Sequence, residues 1–453
     1  MKKITILFMF CFVQMITGQN IISNGDFESS WASTFPWNEN TGAATIVSDD
    51  TGSGSTDVLN IPSGAYQFEQ VIEVSPGVTY EIFVRYKWIN ATAAGTYSTP
   101  VIRRGLTGTT GISLSGGPII FAGDAGPEVT KLNVWRTKGT ATFTVPSGVF
   151  KARLYYNRGA AGANIRFDDI EIKVKPDITW TGGASDGDLA NTANWDGGVN
   201  PTATDVVLIP SGLTSYPTTG NITADEIFVN HGATFITTGT VTGGMHFYTK
   251  VEDTDWHLLS SVGTVQNPNN NWMAANGTAS GSLSNKGIAS YQNGTADGTT
   301  GNWVYNQVGH SGAMDAGKGY SMKRAVPGLY TFNGLYNQAP EAINITSDVN
   351  AWNLIANPFS SYMNIATFLS DNTTKLSGAY QSVYVWNAST SSYEDLTMGH
   401  IHPGQAFFVN SATASETVNI TAAMESHQPG VTFYRNSNPS INIIASSNNL
   451  EKK

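Results

Sequence analysis

The sequence predicts an all-β protein: an N-terminal antiparallel β-sandwich, a small β unit behind it and a duplicated β-sandwich-like region at the end. Three observations lead there. The 453 residues hold only 13% charged side chains but 47 Gly, 18 Pro and 11% aromatics, the make-up of short strands and tight turns around buried rings. Apolar residues recur with period two in several segments. A helical stripe is confined to Asn364–Leu369, where Ile365, Phe368 and Leu369 share a face. A net charge of −10 argues against nucleic acid as a partner, because phosphate binding needs a basic surface.

Residues 1–18 read as a secretory signal. Lys2 and Lys3 precede the apolar run Ile4–Ile16, which is shorter than the ~20 residues of a membrane span. Cys11, the one cysteine, lies inside that run behind Phe8, Met9 and Phe10, which is not the small-residue pattern of a lipoprotein signal. The mature chain is expected to be secreted or held at the cell surface, without disulfides and without a membrane span. It carries 22 Lys/Arg against 34 Asp/Glu, unevenly divided: 13 against 14 over residues 19–175, and 9 against 20 over residues 176–453.

Residues 19–175 form the first expected domain. Tyr80–Trp88 alternates, with Tyr80, Ile82, Val84, Tyr86 and Trp88 on one face and Glu81, Arg85 and Lys87 on the other. Phe150–Tyr156 puts Lys151, Arg153 and Tyr155 on a shared face, and Asp168–Val174 turns Ile170, Ile172 and Val174 inward. Ser-Pro-Gly and Pro-Ser-Gly turns separate the runs, as in a two-sheet sandwich. If the faces of Arg85, Lys87, Lys151, Arg153 and Tyr155 belong to one sheet, they make a platform of cations beside an aromatic ring. Such a platform suits an anionic polysaccharide, since Arg and Lys meet carboxylate or sulfate groups while a ring stacks on a sugar.

The run Asn20–Glu28 followed by Trp31, the segment Val71–Tyr80 around Ser75-Pro76-Gly77, and Phe167–Ile172 lie in one order along this domain. Together they resemble the opening strand, central strand pair and closing strand of the jelly-roll carbohydrate-binding modules of cellulases and xylanases. The resemblance implies a jelly roll that binds a polysaccharide. It also implies a structural calcium tying the opening strand to the closing one, for which Glu28, Asp168 and Asp169 are the candidate ligands. Asp168 has inward parity with Ile170 and Ile172, where an unpaired carboxylate is costly.

Residues 176–244 read as a small, solenoid-like β unit. Trp180-Thr181-Gly182-Gly183 and Asn194–Gly198, then Asp205–Pro210, resemble a segment recurrent in type IX secretion substrates, and Ile222–Thr242 alternates in short rungs. Trp180 and Trp195 are expected as core anchors. Residues 245–453 contain an echo: Asp255–Ser260 matches Ala351–Ala356, Trp303–Asn306 matches Tyr384–Asn387, and Gly317–Met322 matches Gly404–Val409. This predicts a duplicated β unit with a polar insertion over Asn267–Asn285 in the first copy. The second copy resembles a β-rich region found upstream of type IX sorting tails.

Catalytic constellations are not evident. A mature chain without cysteine has no thiol nucleophile, and no Gly-x-Ser-x-Gly elbow, phosphate loop or His-Glu-x-x-His helix occurs. His400 and His402 share a strand parity that a two-ligand metal site would use, but solvated imidazoles before Pro403-Gly404 explain them more simply. Adjacent Asp168 and Asp169 point to opposite faces and cannot flank one glycosidic bond. The sequence thus leads to an exported, non-catalytic carbohydrate-binding protein. The alternatives are a lyase or hydrolase of an anionic glycan, using residue types present in Lys151, Arg153, Tyr155, Tyr156 and Arg158, and a structural adhesin.

Overall fold

The computed structural model describes residues 19–28, 37–39, 44–49, 57–62, 66–89, 101–107, 119–122, 135–149, 151–158, 164–263, 266–293, 303–337, 339–348, 350–388 and 390–427. The expected signal, residues 1–18, and Trp31 lie outside them. Nearly every described element is a strand. The chain forms two compact units, the first of residues 1–254, 268–279 and 324–336, the second of residues 255–267, 280–323 and 337–453.

In the first unit ten strands build a sandwich: β1 (Asn38–Glu39), β2 (Thr45–Ser48), β3 (Asp57–Ile61), β4 (Tyr66–Glu73), β5 (Thr79–Trp88), β6 (Val101–Thr107), β7 (Ile119–Ala122), β8 (Arg136–Thr144), β9 (Lys151–Arg158) and β10 (Ile165–Val174). Their orders are β1-β4-β9-β6-β7 and β2-β3-β10-β5-β8, antiparallel throughout. The alternation in the sequence builds the core. Tyr80, Ile82, Val84, Tyr86 and Trp88 face Phe68, Ile72, Leu154 and Tyr156 across it, all buried. Gly77 and Gly148 take positive φ at the third position of the two expected turns, where a β-carbon is disfavoured. Asn20 and the main chain of residues 21–25 bond to β10, through Ile21 N–H to Ile172 O and Ile170 N–H to Gly25 O.

Behind the sandwich, β11 (Ile178–Thr179), β12 (Val206–Ile209), β13 (Ile222–Val229) and β14 (Val241–Val251) pair in parallel, rung upon rung. Parallel strands buried on both faces read as continuous apolar runs, and Val206-Val207-Leu208-Ile209 is one. Trp180 and Trp195 meet edge to face at 4.9 Å, and their indole N–H groups bond to Ser215 O and Leu189 O, as core anchors do. The strand Gly328–Gly334 adds antiparallel to β14, and helix α1 (Asn270–Ala275), capped by Asn269, packs on β4. Residues 268–279 of the expected polar insertion thus belong to the first unit. The helix itself was not expected.

The second unit contains β15 (Trp256–Leu259), β16 (Asn285–Tyr291), β17 (Trp303–Gln307) and β18 (Tyr320–Lys323); Gly328–Gly334 of the first unit is β19. It continues with β20 (Glu341–Ile345), β21 (Trp352–Ala356), β22 (Tyr362–Asn364), α2 (Ile365–Asp371), β23 (Val383–Asn387), β24 (Ser392–Leu396), β25 (His400–Ile401), β26 (Ala406–Asn410), β27 (Glu416–Ile420) and β28 (Glu425–Ser426). Two four-stranded sheets, β15-β18-β16-β17 and β21-β26-β23-β24, have one topology. The echoes at offsets of 96 and 87 residues are equivalent in register, since Leu259 pairs with Tyr320 as Ile355 pairs with Phe407. The third echo is corrected: Trp303–Asn306 lies in edge strand β17, whereas Tyr384–Asn387 lies in inner strand β23, whose topological counterpart is β16. Each repeat also reaches into the other. Ser260 N–H donates to Gly404 O, and Ala356 N–H donates to Gly317 O. Helix α2 lies where the sequence predicts it, with Ile365, Phe368 and Leu369 buried.

Candidate functional site

The expected platform of cations is divided between the two sheets of the sandwich. Arg85 and Lys87 stand on β5, Lys151, Arg153 and Tyr155 on β9, so their outward faces cannot form one surface. Strands distant in sequence are dealt to either sheet by the pairing pattern, which parity alone does not encode. On β5 the cations are tied down. Arg85 pairs with Asp169 at 3.3 Å, and Lys87, 6% exposed, pairs with Asp49 at 2.5 Å under the Trp135 ring, 4.8 Å from its centre. Burial opposes the charge on Asp49, but hydrogen bonds from Lys87 and Arg166 hold its carboxyl below the usual range.

The β9 face is different. Arg153 pairs with the buried Glu69 of β4, and its Nε is buried without an acceptor among the described residues. Lys151 stands opposite Glu73 in the β4–β9 register. Burial, only partly offset by Lys151 and an Asn276 hydrogen bond, pushes Glu73 up to about 8. Its Oε2 is sealed from solvent without a donor among the described residues. Burial thus favours the neutral form of Glu73, and it lowers the pKa of Lys151 beside it as well. Tyr155 lies between Arg153 and Asn157 on β9, but its side chain lies outside the described residues.

A β-bulge corrects the parity of Asp168. Ile165, Phe167 and Ile170 are all buried, the register slips between Asp168 and Glu171, and Asp169 adopts a φ of 46°. Asp168 pairs in register with outward-facing Arg85, yet it is fully buried. Glu28 is exposed and accepts the Asp57 N–H at 2.8 Å, while Asp169 faces Arg85. Among the described residues no group of three or more Asp, Glu, His or Cys side chains is placed to hold a metal ion. A calcium ion, with its six to eight oxygens, would need main-chain and water ligands beside Asp168.

His400 and His402 do not pair up either. His402 is buried against Tyr362 with its Nδ1 2.9 Å from Pro403 O, and so is not the solvated imidazole expected of it. His400 is half-buried, and burial lowers its pKa.

Sequence reasoning missed a second feature, in the second unit. Two aromatic pockets of about 170 and 340 Å3 lie side by side, sharing Trp303 and Tyr393. The signal was present: Trp256, Trp303, Trp352, Tyr384, Trp386 and Tyr393 crowd strands too short to bury them all. The echo pointed to core positions for Trp256 and Trp352, which are half-buried instead.

No family model and no curated protein matches the chain. Solved structures similar to part of it are mainly carbohydrate-binding modules. A family 22 xylan-binding domain is 18% identical over 33% of this chain and 92% of its own, with a TM-score of 0.25. The corresponding domain of a Paenibacillus barcinonensis xylanase is 13% identical over 35% and 96%, with a TM-score of 0.24. The enzymatically active domain of bacteriophage CBA120 tailspike protein 4 is 19% identical over 34% of this chain, with a TM-score of 0.24. The match spans about a fifth, 21%, of that chain.

Proposed function

We propose that this is an exported, non-catalytic carbohydrate-binding protein whose N-terminal sandwich binds an anionic polysaccharide on the outward face of β9. One observation carries the reading: Lys151 and Arg153 share that face with Glu69 and Glu73 of β4, and burial favours the neutral form of Glu73. Arg153, fixed by Glu69, offers oriented N–H donors to a carboxylate, and Lys151 supplies a second cation. A structural calcium ion, for which Glu28, Asp168 and Asp169 would be the ligands together with main-chain and water oxygens, belongs to the same proposal.

Electrophoresis of the full chain through gels containing polygalacturonate tests the site. Retardation is expected, and it should decline as salt rises, because the screening length falls from ~10 Å at 0.1 M to ~3 Å at 1 M. The Lys151→Ala variant combined with Arg153→Ala and Glu69→Gln, which removes the ion pair together, should migrate without retardation. No newly formed unsaturated or reducing ends should accompany binding. Equal retardation of the variant, or release of products, overturns the reading. For the ion, chelator should lower the melting temperature and calcium should restore it, by mass action. A melting curve indifferent to both removes calcium from the proposal.

A further inference from the structure

The two repeats of the second unit close over an aromatic trench, and we propose that it is a second carbohydrate site, one that takes an uncharged chain of pyranose rings. It is independent of the β9 face. Trp256 and Trp352 hold equivalent positions in the two sheets, pairing with Lys323 and Asn410 respectively, and each lines one side of the paired pockets or the cleft beside them. The trench is therefore a product of the duplication.

These rings are not a sealed core. Trp37, Trp88 and Trp180 of the first unit are at most 1% exposed, whereas Trp256, Trp303, Trp352 and Trp386 are half-buried and Tyr393 is 48% exposed. Leaving so much aromatic area open forfeits burial worth about 1.5–3 kcal/mol per large side chain, which a stability role alone does not explain. The rings also hold one another edge to face: Tyr291 on Trp303 at 5.3 Å, Trp352 on Tyr384 at 4.8 Å and Trp386 on Tyr393 at 5.0 Å. That bracing fixes the surface before a ligand arrives, which lowers the ordering cost of binding.

The chemistry selects the ligand. A pyranose ring presents an apolar C–H face, attracted to the negative face of an aromatic ring, and a rim of hydroxyls that need polar partners. The rim finds them next door. A cleft of about 520 Å3 shares Tyr291 and Trp352 with the trench and is lined by Asn344, Lys318, Asp315 and Glu341. No charged side chain lines either aromatic pocket, and the residues of the second unit carry 11 acidic against 7 basic side chains, so a uronate or sulfated chain is disfavoured.

Titration of the full chain with cellohexaose, xylohexaose and mannohexaose, read by tryptophan fluorescence and calorimetry, tests this. At least one hexasaccharide should give a saturable response. Trp352→Ala should weaken it about tenfold or more, the loss of one stacking contact. Tyr393→Ser, at a position too exposed to endanger folding, should weaken it in the same direction. The variant that combines Lys151→Ala, Arg153→Ala and Glu69→Gln should bind the hexasaccharide unchanged while losing retardation by polygalacturonate, so the two sites fail separately. No response to any of the three sugars overturns the proposal, as does a response that Tyr393→Ser leaves intact. Binding of an aromatic-rich peptide in place of every sugar overturns it too.

Discussion

At the scale of single residues, one buried cation fastens distant parts of the first unit together. Arg324 is fully buried and donates to Ser23 Oγ at 2.8 Å, to Val326 O at 3.1 Å and to the carbonyls of Asn276 and Leu329, with the Tyr330 ring 5.2 Å away. Burial lowers its pKa to about 10, which still leaves it charged at neutral pH. Arg324→Met removes the donors and strands those oxygens in a site that water does not reach, so it should cost about 3 kcal/mol in denaturant unfolding. Gly328→Ala should act in the same direction, because a β-carbon there would lie 2.5 Å from Nη2 of Arg324. Unchanged stability in both variants would show that the guanidinium is dispensable. Nothing in the sequence distinguishes Arg324 from Lys323 beside it. Its role depends on Ser23, 301 positions away, and on an insertion folding back.

At the scale of elements, what the sequence revealed follows from the range of the interactions. Period-two runs such as Tyr80–Trp88 become strands with the expected core face because alternation is a local property. Helix α2 was legible for the same reason, with three apolar residues on one face behind the Asn364 cap. Helix α1 was not, since Asn270-Asn271-Trp272-Met273 carries one apolar pair and is held by docking: Trp272 bonds to Thr331 O and stacks on Tyr330. The bulge at Asp169 shifted a parity that a strict alternation had fixed. Sheet membership was the largest loss, because it is decided by pairings such as β4 with β9 that join residues about 80 apart. The cation platform failed there, and the β9 face with Glu69 and Glu73 could be seen only once that pairing was known.

At the scale of the whole molecule, two carboxyl groups, one in each unit, set a pH dependence of stability. Burial pushes Glu73 up to about 8, and burial pushes Glu425 up to about 7 despite the Ser361 hydroxyl that donates to it at 2.7 Å. A raised carboxyl pKa means that the folded chain binds a proton which the unfolded chain releases near 4.5. Stability therefore falls as pH rises from about 4.5 to the folded values, and this loss is complete above about 8. Asp49 acts oppositely but only in acid, since its lowered pKa gives stability that disappears as pH drops through its depressed value. His400, lowered by burial, adds stability as pH rises, and that gain is complete once pH exceeds the unfolded value of about 6.5. Between pH 6.5 and 8 the two glutamates are thus left in control. The melting temperature should decline across that window. Glu425→Gln should remove about half of the decline below pH 7, where both groups contribute, and Glu73→Gln the other half and most of the decline above pH 7, because an amide keeps the neutral shape without a proton to lose. A melting temperature that is flat or rising from pH 6.5 to 8 in the native chain would contradict both assignments. A decline that survives in the double variant would place the titrating groups elsewhere. The same titration bears on binding, since ionised Glu73 adds a negative charge beside Lys151. Retardation by polygalacturonate should weaken from pH 7 to 9 in the native chain, and Glu73→Gln should remove the part of that decline near neutral pH.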